Sequence, residues 1–293
     1  MAIQLIHFSD CGPVRATNQD AYCAFSANTV AGPFSLLAVC DGMGGLSNGE
    51  VASATVIQDF SDWFVQQLPA LLQDNRLLPE KVFASWNRML QDCHNRLKQS
   101  ALAQQIRWGT TLSAVLLTPD SYYVLHIGDS RAYLEDGTEL QLLTKDQTLA
   151  MREFEAGNIS SEQYERDPRK NVLLQCIGDR TITPAFRIGQ KPICGAVLLC
   201  SDGFYHTVQQ EEMHQMLIGT STRAELQQEV GQMVARARHL GETDNITTVI
   251  LRWDGTPSSQ RSTLPLSVSD ENVKTDAMDC VAKVISIHAR PLE

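Results

Sequence analysis

Aspartates that stand at the ends of apolar runs are the residues of this chain best suited to chemistry. Asp41, Asp129 and Asp202 each come at or just after the end of a strand-like apolar stretch, and Asp20 and Asp244 lie in short polar segments. Strand ends are rigid, and carboxylate oxygens are the ligands that hard divalent cations prefer. We therefore predict a cation site built from these aspartates.

Ordinary turns are the alternative explanation for some of these residues. Asp41 and Gly42 form an Asp-Gly dipeptide, a common turn sequence, and Asp202 also precedes a glycine. Asp136 and Gly137 predict a plain hairpin turn. In the metal-binding interpretation, a glycine turn lets a carboxylate and a backbone carbonyl face the same ion. The conjunction of several such segments in one chain favours the cation site.

Composition excludes several classes of function. The chain has 293 residues, a formal net charge of -10 and a pI near 5.2, which argues against binding to nucleic acid or to an anionic membrane. Its eight cysteines are scattered without a C-x-x-C pair, so we expect free thiols in a reducing compartment. We find neither a signal peptide nor an apolar window of about 18 residues, and predict a cytoplasmic protein without a membrane span.

Helical periodicity predicts three helices. The first runs from about Asn48 to Leu68 and closes at Pro69, and the second begins at Pro79. The third covers 222–239. We expect the polar segment 145–171 to be a mobile excursion over the surface.

Alternating and apolar runs predict antiparallel strands with helices outside them. Short strands are expected within residues 1–40, separated by Gly-Pro turns. The next four strands, expected at 110–117, 122–127, 132–134 and 140–143, form a predicted meander. Three later strands are expected at 185–188, 196–200 and 246–252.

A linker-like composition follows Trp253, so we predict a catalytic domain over 1–254 and a linker and C-terminal tail over 255–293. Part of the tail has an apolar helix face, although 281–287 would also pass as a strand. The tail would dock on its own domain or contact a partner.

Six motifs occur in order along the chain and together resemble the metal-dependent protein phosphatase 2C family, most closely its bacterial branch. The resemblance covers about residues 4–252 and leaves only the tail outside. The motifs are Val14 to Asp20 (VRATNQD), Asp41 to Gly45 (DGMGG), Trp108 to Thr111 (WGTT), Gly128 to Tyr133 (GDSRAY), Ser201 to Gly203 (SDG) and Asp244 to Thr247 (DNIT).

The resemblance implies both a fold and an activity. The fold would be α+β, a four-layer α-β-β-α sandwich of two stacked, mainly antiparallel sheets flanked by helices. The activity would be hydrolysis of phosphoserine and phosphothreonine in proteins with two Mn²⁺ or Mg²⁺ ions. The oxygen-rich set of aspartates suits such ions.

The resemblance also implies a role for each site residue. Asp41 would bridge the two ions, and Gly42 would offer its carbonyl to the second. Asp202 and Asp244 would hold the first ion, while Asp20 would act through metal-bound waters. The ions would lower the pKa of a bridging water, so that hydroxide attacks phosphorus in line and no protein nucleophile is needed.

Arg15, Asp41 and Asp202 are the predicted catalytic residues. Arg15 would bind substrate by forking onto two phosphate oxygens, which a lysine cannot do in a planar bidentate way. The alternative for Arg15 is a surface ion pair with Asp20 or Asp10.

Other side chains near the motifs keep two interpretations. Asp129 resembles a ligand of a possible third ion, or it is a turn aspartate bonded to backbone. His126 would be catalytic or, as is commoner for a strand histidine, a packed core residue. Leu46 stands where many bacterial members have a histidine, which leaves the proton donor to be identified.

Rival functions remain at this stage. A pseudophosphatase that binds phosphoproteins as a scaffold would use the same fold, but it would need a broken metal cage. A thiol phosphatase is disfavoured, because no cysteine is followed by a glycine-rich loop and an arginine. The expected partners are phosphorylated proteins, among them a Ser/Thr kinase and its targets or a phosphoserine regulator of the anti-anti-sigma type. Oligomeric state stays open.

Overall fold

The structure, a computed structural model, describes residues 3–29, 31–44, 49–72 and 77–255. Within these residues the chain forms eleven strands. They are β1 (Ile3–Asp10), β2 (Asp20–Thr29), β3 (Gly32–Gly44), β4 (Trp108–Thr110), β5 (Leu112–Leu117), β6 (Ser121–Ile127), β7 (Arg131–Glu135), β8 (Leu140–Leu142), β9 (Ala185–Gln190), β10 (Gly195–Cys200) and β11 (Ile246–Trp253).

Eight α-helices accompany the strands in the same part of the chain. They are α1 (Gly49–Asp62), α2 (Leu68–Leu71), α3 (Pro79–Gln104), α4 (Leu149–Glu155), α5 (Ser161–Glu165), α6 (Asp202–Tyr205), α7 (Gln210–Gly219) and α8 (Arg223–His239). None of these helices is long and apolar enough to cross a membrane.

Two antiparallel sheets stack face to face, and helices cover their outer faces. One sheet has the order β1-β11-β10-β7-β8, and the other has the order β2-β3-β5-β6-β9, with β4 paired to β3. Helices α1 and α3 pack on the second sheet, and α7 and α8 pack on the first. The predicted four-layer α-β-β-α sandwich is confirmed.

Strand periodicity explains why there are three apolar layers. Successive side chains of a strand point to opposite faces, so each central strand contributes to two layers. In β10, Leu198 packs under the helices of its sheet, whereas Leu199 enters the layer between the sheets. In β3, Cys40 likewise packs under the helices of its sheet, whereas Val39 enters the layer between the sheets. Both sheets therefore bury both faces, which accounts for their nearly continuous apolar sequences.

The predicted meander over residues 110–143 is wrong in its connectivity. Strands β5 and β6 pair in one sheet, but β7 and β8 pair in the other. The chain crosses between the sheets at Gly128, whose φ is +100° and whose Cβ, if present, would lie 2.6 Å from Thr111 Cγ2. Apolar alternation predicts strands but carries no information on which sheet a strand joins.

Pro69 does not end the first helical stretch, as the sequence had suggested. After α1 the chain makes a π-helical turn over Trp63–Gln67 and continues into α2. Pro69 lies in the first turn of α2, the part of a helix in which proline is best tolerated. The predicted helices at Pro79 and over 222–239 are confirmed as α3 and α8.

The polar segment 145–171 is more regular than the expected excursion. It contains α4 and α5, and α5 begins with a capping box in which Ser160 and Gln163 exchange hydrogen bonds. Helices α6 and α7 were not predicted, since both are short. Leu46 and residues 256–293 lie outside the described residues, and the division at 254 stays a prediction.

Leu199→Ala should destabilise the protein by about 2–5 kcal/mol, because Leu199 is fully buried between the sheets and its truncation leaves a cavity. Urea unfolding measures this change. The matched control is Leu102→Ala, since Leu102 is 71% exposed on α3 and its loss should change stability by no more than about 0.5 kcal/mol. Equal effects of the two substitutions would contradict the assignment of the inter-sheet core.

Candidate metal centre

The layer between the sheets changes from apolar to polar at one end. Along β2 the side chain of Tyr22 is followed on the same face by Asp20, and along β3 that of Val39 is followed by Asp41. On β10, Leu199 is followed on that face by Ser201. Both sheets thus place polar side chains at the same end of a common layer.

Asp20 and Asp41 are cross-strand neighbours. They are directly opposite each other in the β2–β3 register, an arrangement that places two side chains on one face of the sheet. Asp20 is also joined to the other sheet, because Ser201 Oγ donates a hydrogen bond of 2.7 Å to Asp20 Oδ2. Ser201 in turn accepts a bond of 3.0 Å from the Thr247 amide. One hydrogen-bonded chain therefore connects the two sheets at the site.

Two threonines hold the backbone of Asp41. Its amide donates to Thr111 Oγ1 at 2.9 Å, and its carbonyl accepts from both the Thr111 amide and Thr110 Oγ1, each at 2.9 Å. Thr111 Oγ1 also lies 2.6 Å from Ser130 Oγ, beside Asp129. These contacts give the WGTT motif a structural role, which is to fix the position of a carboxylate.

Gly42 lies where no side chain fits. Its amide donates to the Gln19 carbonyl at 3.1 Å. A Cβ on Gly42 would lie 2.3 Å from the Gly49 carbonyl oxygen and 2.4 Å from that of Gln19. The backbone that follows Asp41 thus runs in close contact with the start of α1 and with the segment before β2.

Asn245 ties the segment before β2 to the segment before β11. Its side-chain oxygen accepts from the Gln19 amide at 2.8 Å, and its amide nitrogen donates to the carbonyls of Cys11 (2.8 Å) and Thr17 (3.2 Å). The preceding residue, Asp244, donates its own amide to Glu242 Oε1 at 3.0 Å. Asp244 is thereby fixed next to the segment that carries Arg15.

Arg15 forms an ion pair with Asp244. Its Nη2 donates to Asp244 Oδ2 at 2.7 Å, and the side chains of Arg15 and Asp244 are 51% and 33% exposed. The alternative of a pair with Asp20 or Asp10 is not what the structure shows, since Asp10 pairs with Arg238. Arg15 instead contacts one of the predicted metal ligands.

Asp202 opens α6 directly after β10 and lies close to a histidine. His206 Nε2 is 3.9 Å from Asp202 Oδ2, and His206 Nδ1 is 3.8 Å from Glu242 Oε2. Asp202 Oδ1 is buried and has no hydrogen-bond partner within the described part of the chain. A buried carboxylate oxygen in this position is suited to bind a cation.

The pKa values of the aspartates show that their carboxyl groups influence one another. Burial, and then the charges of Asp20 and Asp202, raise the pKa of Asp41 well above its ordinary value. Burial likewise raises the pKa of Asp20 to about 7, with Asp202 and Asp244 adding to the rise and the Ser201 hydrogen bond opposing it. Burial followed by the charge of Asp202 also raises the pKa of Asp129. The ionised carboxylates thus repel one another, and a bound cation would relieve this repulsion.

The chain is similar in sequence to known serine/threonine phosphatases. The profile of the family described as Protein phosphatase 2C matches residues 14–243. The chain belongs to this family. The serine/threonine phosphatase Stp of Listeria monocytogenes is 30% identical to it over 256 residues, which cover 84% of this chain and 94% of the relative. PstP of Mycobacterium tuberculosis is 30% identical over 249 residues, which are 83% of this chain and 43% of the longer relative.

Solved structures of the phosphatase 2C family agree with the fold. Serine/threonine phosphatase Stp1 from Staphylococcus aureus superposes with a TM-score of 0.75 at 26% identity, over 87% of this chain and 96% of that one. The catalytic domain of PstP, solved with two manganese ions, gives a TM-score of 0.67 at 27% identity, over 85% of this chain and 97% of that domain.

The groups that could bind a metal at this site have the chemistry that the divalent ions of a phosphatase 2C protein require. Its donors are carboxylate oxygens, and Asp202 supplies a buried oxygen free to bind. Among the described residues, however, no three Asp, Glu, His or Cys side chains are close enough to form a metal-binding group by themselves. Carboxylates of like charge repel one another. Ions at this site would thus need backbone carbonyl and water oxygens as well.

The interpretation of His126 as a core residue agrees with the structure. Its side chain is 2% exposed, and its Nε2 donates to the Lys145 carbonyl at 2.9 Å while Nδ1 lies 3.0 Å from Ser113 Oγ. Burial lowers the pKa of His126 to about 4.

Arg131 is a structural residue too, since it forms a bidentate pair with Asp146 at 2.7 and 3.0 Å.

Three residues at the site were not singled out by sequence reasoning as functional: His206, Glu242 and Asn245. His206 follows Asp202 by four residues on one helical face, and Glu242 precedes Asp244 by two. Spacing from a predicted ligand could have indicated both. Asn245 was part of a motif, but its bonds to Cys11 and Thr17 depend on the tertiary fold.

Gly42→Ala should lower the free energy of unfolding by about 1–3 kcal/mol, because the new methyl group must displace two backbone carbonyls. Chemical denaturation measures this effect. Gly231→Ala is the control: Gly231 lies in α8 with open space around it, and alanine should stabilise the helix by about 0.5–1 kcal/mol. A stability gain at both positions would refute the close packing around Gly42.

His126 should contribute to acid sensitivity. Its pKa is about 4 in the folded protein against an ordinary value of 6.5 in the unfolded chain, so between these pH values only the unfolded chain binds the proton. The stability that neutral His126 contributes is therefore fully present above pH 6.5 and is lost as the pH falls toward 4. Between pH 7 and pH 5 the titration of His126 should lower the free energy of unfolding by about 2 kcal/mol.

Urea unfolding of the wild type and of His126→Gln at pH 7 and pH 5 tests this expectation. The variant lacks the titrating group, so its stability should fall less than that of the wild type over the same pH interval. All other titrating groups are common to both proteins. An identical fall in both proteins would show that His126 is not buried in its neutral form.

Proposed function

We propose that this protein is a metal-dependent protein serine/threonine phosphatase that hydrolyses phosphoserine and phosphothreonine. The observation that carries the proposal is the convergence of Asp20, Asp41 and Asp202 from both sheets at one buried end of the sandwich, with Arg15 beside them. Membership of the phosphatase 2C family supports it.

In the proposed site, two Mn²⁺ or Mg²⁺ ions are held by the aspartates. Asp41, Asp202 and Asp244 would hold the ions through their carboxylates, Gly42 would add its backbone carbonyl, and Asp20 would act through water. Such ions would supply a water molecule of lowered pKa for attack on phosphorus, so that no protein nucleophile would be needed.

Arg15 binds the phosphate ester in this proposal. Its side chain is half exposed, and the planar fork of its guanidinium matches two phosphate oxygens. It would orient the ester and offset negative charge on the phosphoryl group during transfer. Arg15, Asp41 and Asp202 are thus the proposed catalytic residues, and Asp129 is a proposed ligand of a third ion near Asp202.

The substrates are phosphoproteins, and we propose a Ser/Thr kinase and its targets among them. The scaffold alternative is disfavoured, because every aspartate expected at the metal site is present. We further propose a cytoplasmic location, on the basis of the free cysteines: none of the seven in the described part of the chain forms a disulfide.

Asp202→Ala and Asp244→Asn should each reduce Mn²⁺-dependent phosphate release from a phosphothreonine peptide by at least about a hundredfold, since even side chains that only support a metal ligand are worth about 10- to 100-fold. Asp120→Asn, an exposed aspartate in the β5–β6 turn, is the control and should keep full activity. Full activity of either site variant, or of the wild type in excess chelator, would refute the mechanism.

A further inference from the structure

Both carboxylate oxygens of Asp244 are already bonded to protein groups. Oδ2 accepts from Arg15 Nη2 at 2.7 Å, and Oδ1 accepts from the Asn245 amide at 2.8 Å. The amide belongs to the backbone and cannot leave without unfolding the segment. Arg15 is a side chain and can leave. A cation that binds Oδ2 must therefore replace Arg15 or share the oxygen with a neighbouring positive charge.

Arg15 also lies within the electrostatic field of the other site carboxylates. Its pKa is raised first by the hydrogen bond to Asp244, and the charges of Asp41 and Asp202 add to the rise. The guanidinium is thus attracted by three of the proposed metal ligands at once. A divalent ion bound at the same carboxylates would be repelled by it.

The backbone around Arg15 is anchored so that its side chain can move alone. Asn245 Nδ2 donates to the carbonyls of Cys11 and Thr17, one on each side of Arg15 in sequence. Cys11 Sγ also donates to the Arg15 carbonyl at 3.0 Å. The guanidinium can therefore turn away from Asp244 while the segment that carries it stays in place.

We propose that Arg15 competes with a divalent cation for Asp244, so that binding of the ion at Asp244 releases the guanidinium for the phosphate ester. This inference rests on the proposed phosphatase function and adds an order of events to it. Ion binding comes first, and the phosphate-binding side chain becomes available as a result. Arg15 therefore opposes the binding of the metal ion before it contacts the substrate.

The exposure of the ion pair sets the size of the effect. A pair with side chains 51% and 33% exposed is screened by water, so an ion can displace Arg15 at small cost. Removing the charge of Arg15 should then strengthen Mn²⁺ binding by about two- to fivefold, which is the range that exposed ion pairs contribute.

Calorimetric titration of Mn²⁺ into the protein, in a buffer without phosphate or substrate, tests the competition directly. Arg15→Gln should lower the Kd for Mn²⁺ by about two- to fivefold relative to the wild type. Arg15→Lys keeps the charge but not the fork, and its Kd should lie between those two values. Thermal unfolding without added metal verifies that each variant is folded before titration.

Arg96→Gln is the matched control. Arg96 is 56% exposed and pairs with Asp59 at 2.6 Å on the helical layer, so its removal changes the net charge equally without touching the site. Its Kd for Mn²⁺ should equal that of the wild type. A Kd for Arg15→Gln that is unchanged or higher would overturn the competition, whereas absence of Mn²⁺ binding by the wild type would overturn the proposed function itself.

Discussion

The packing of the two antiparallel sheets against each other is the constraint on which the rest of the structure depends. Central strands contribute apolar side chains to this layer on every second residue, and the layer excludes water. At one end the same positions become polar, with Asp20 and Asp41 on one sheet and Ser201 on the other. The carboxylates are therefore held at the edge of a dry layer by the periodicity that builds the core.

Burial of several like charges is unfavourable, and the structure shows how the chain accommodates it. Ser201 donates a hydrogen bond to Asp20, Thr110 and Thr111 donate to the Asp41 carbonyl, and the Asp41 amide donates to Thr111 Oγ1, so that groups that would otherwise move apart are fixed. The guanidinium of Arg15 offsets part of the charge from the exposed side. Such a site is electrostatically prepared for cations, because the low dielectric that raises carboxyl pKa values also strengthens their attraction for an ion.

Two polar side chains join segments that are far apart in the sequence. Asn245 binds the segment before β2 across 226 to 234 residues, and Ser201 binds Asp20 across 181. Neither contact follows from local pattern, and both decide where a proposed ligand lies. The error over the meander has the same origin, since pairing between strands depends on contacts outside the local sequence.

The sequence by itself determined most of the strands, the long helices and the sandwich class through the family motifs, and it predicted the aspartates and Arg15 as site residues. These follow from local periodicity and from residue types, which each segment carries alone. Only the tertiary structure decided that the chain crosses between the sheets at Gly128, that Glu242 lies beside His206, and that Arg15 pairs with Asp244 across 229 residues. Such contacts depend on how the sheets and the segments between their strands pack in three dimensions, and not on sequence neighbourhood.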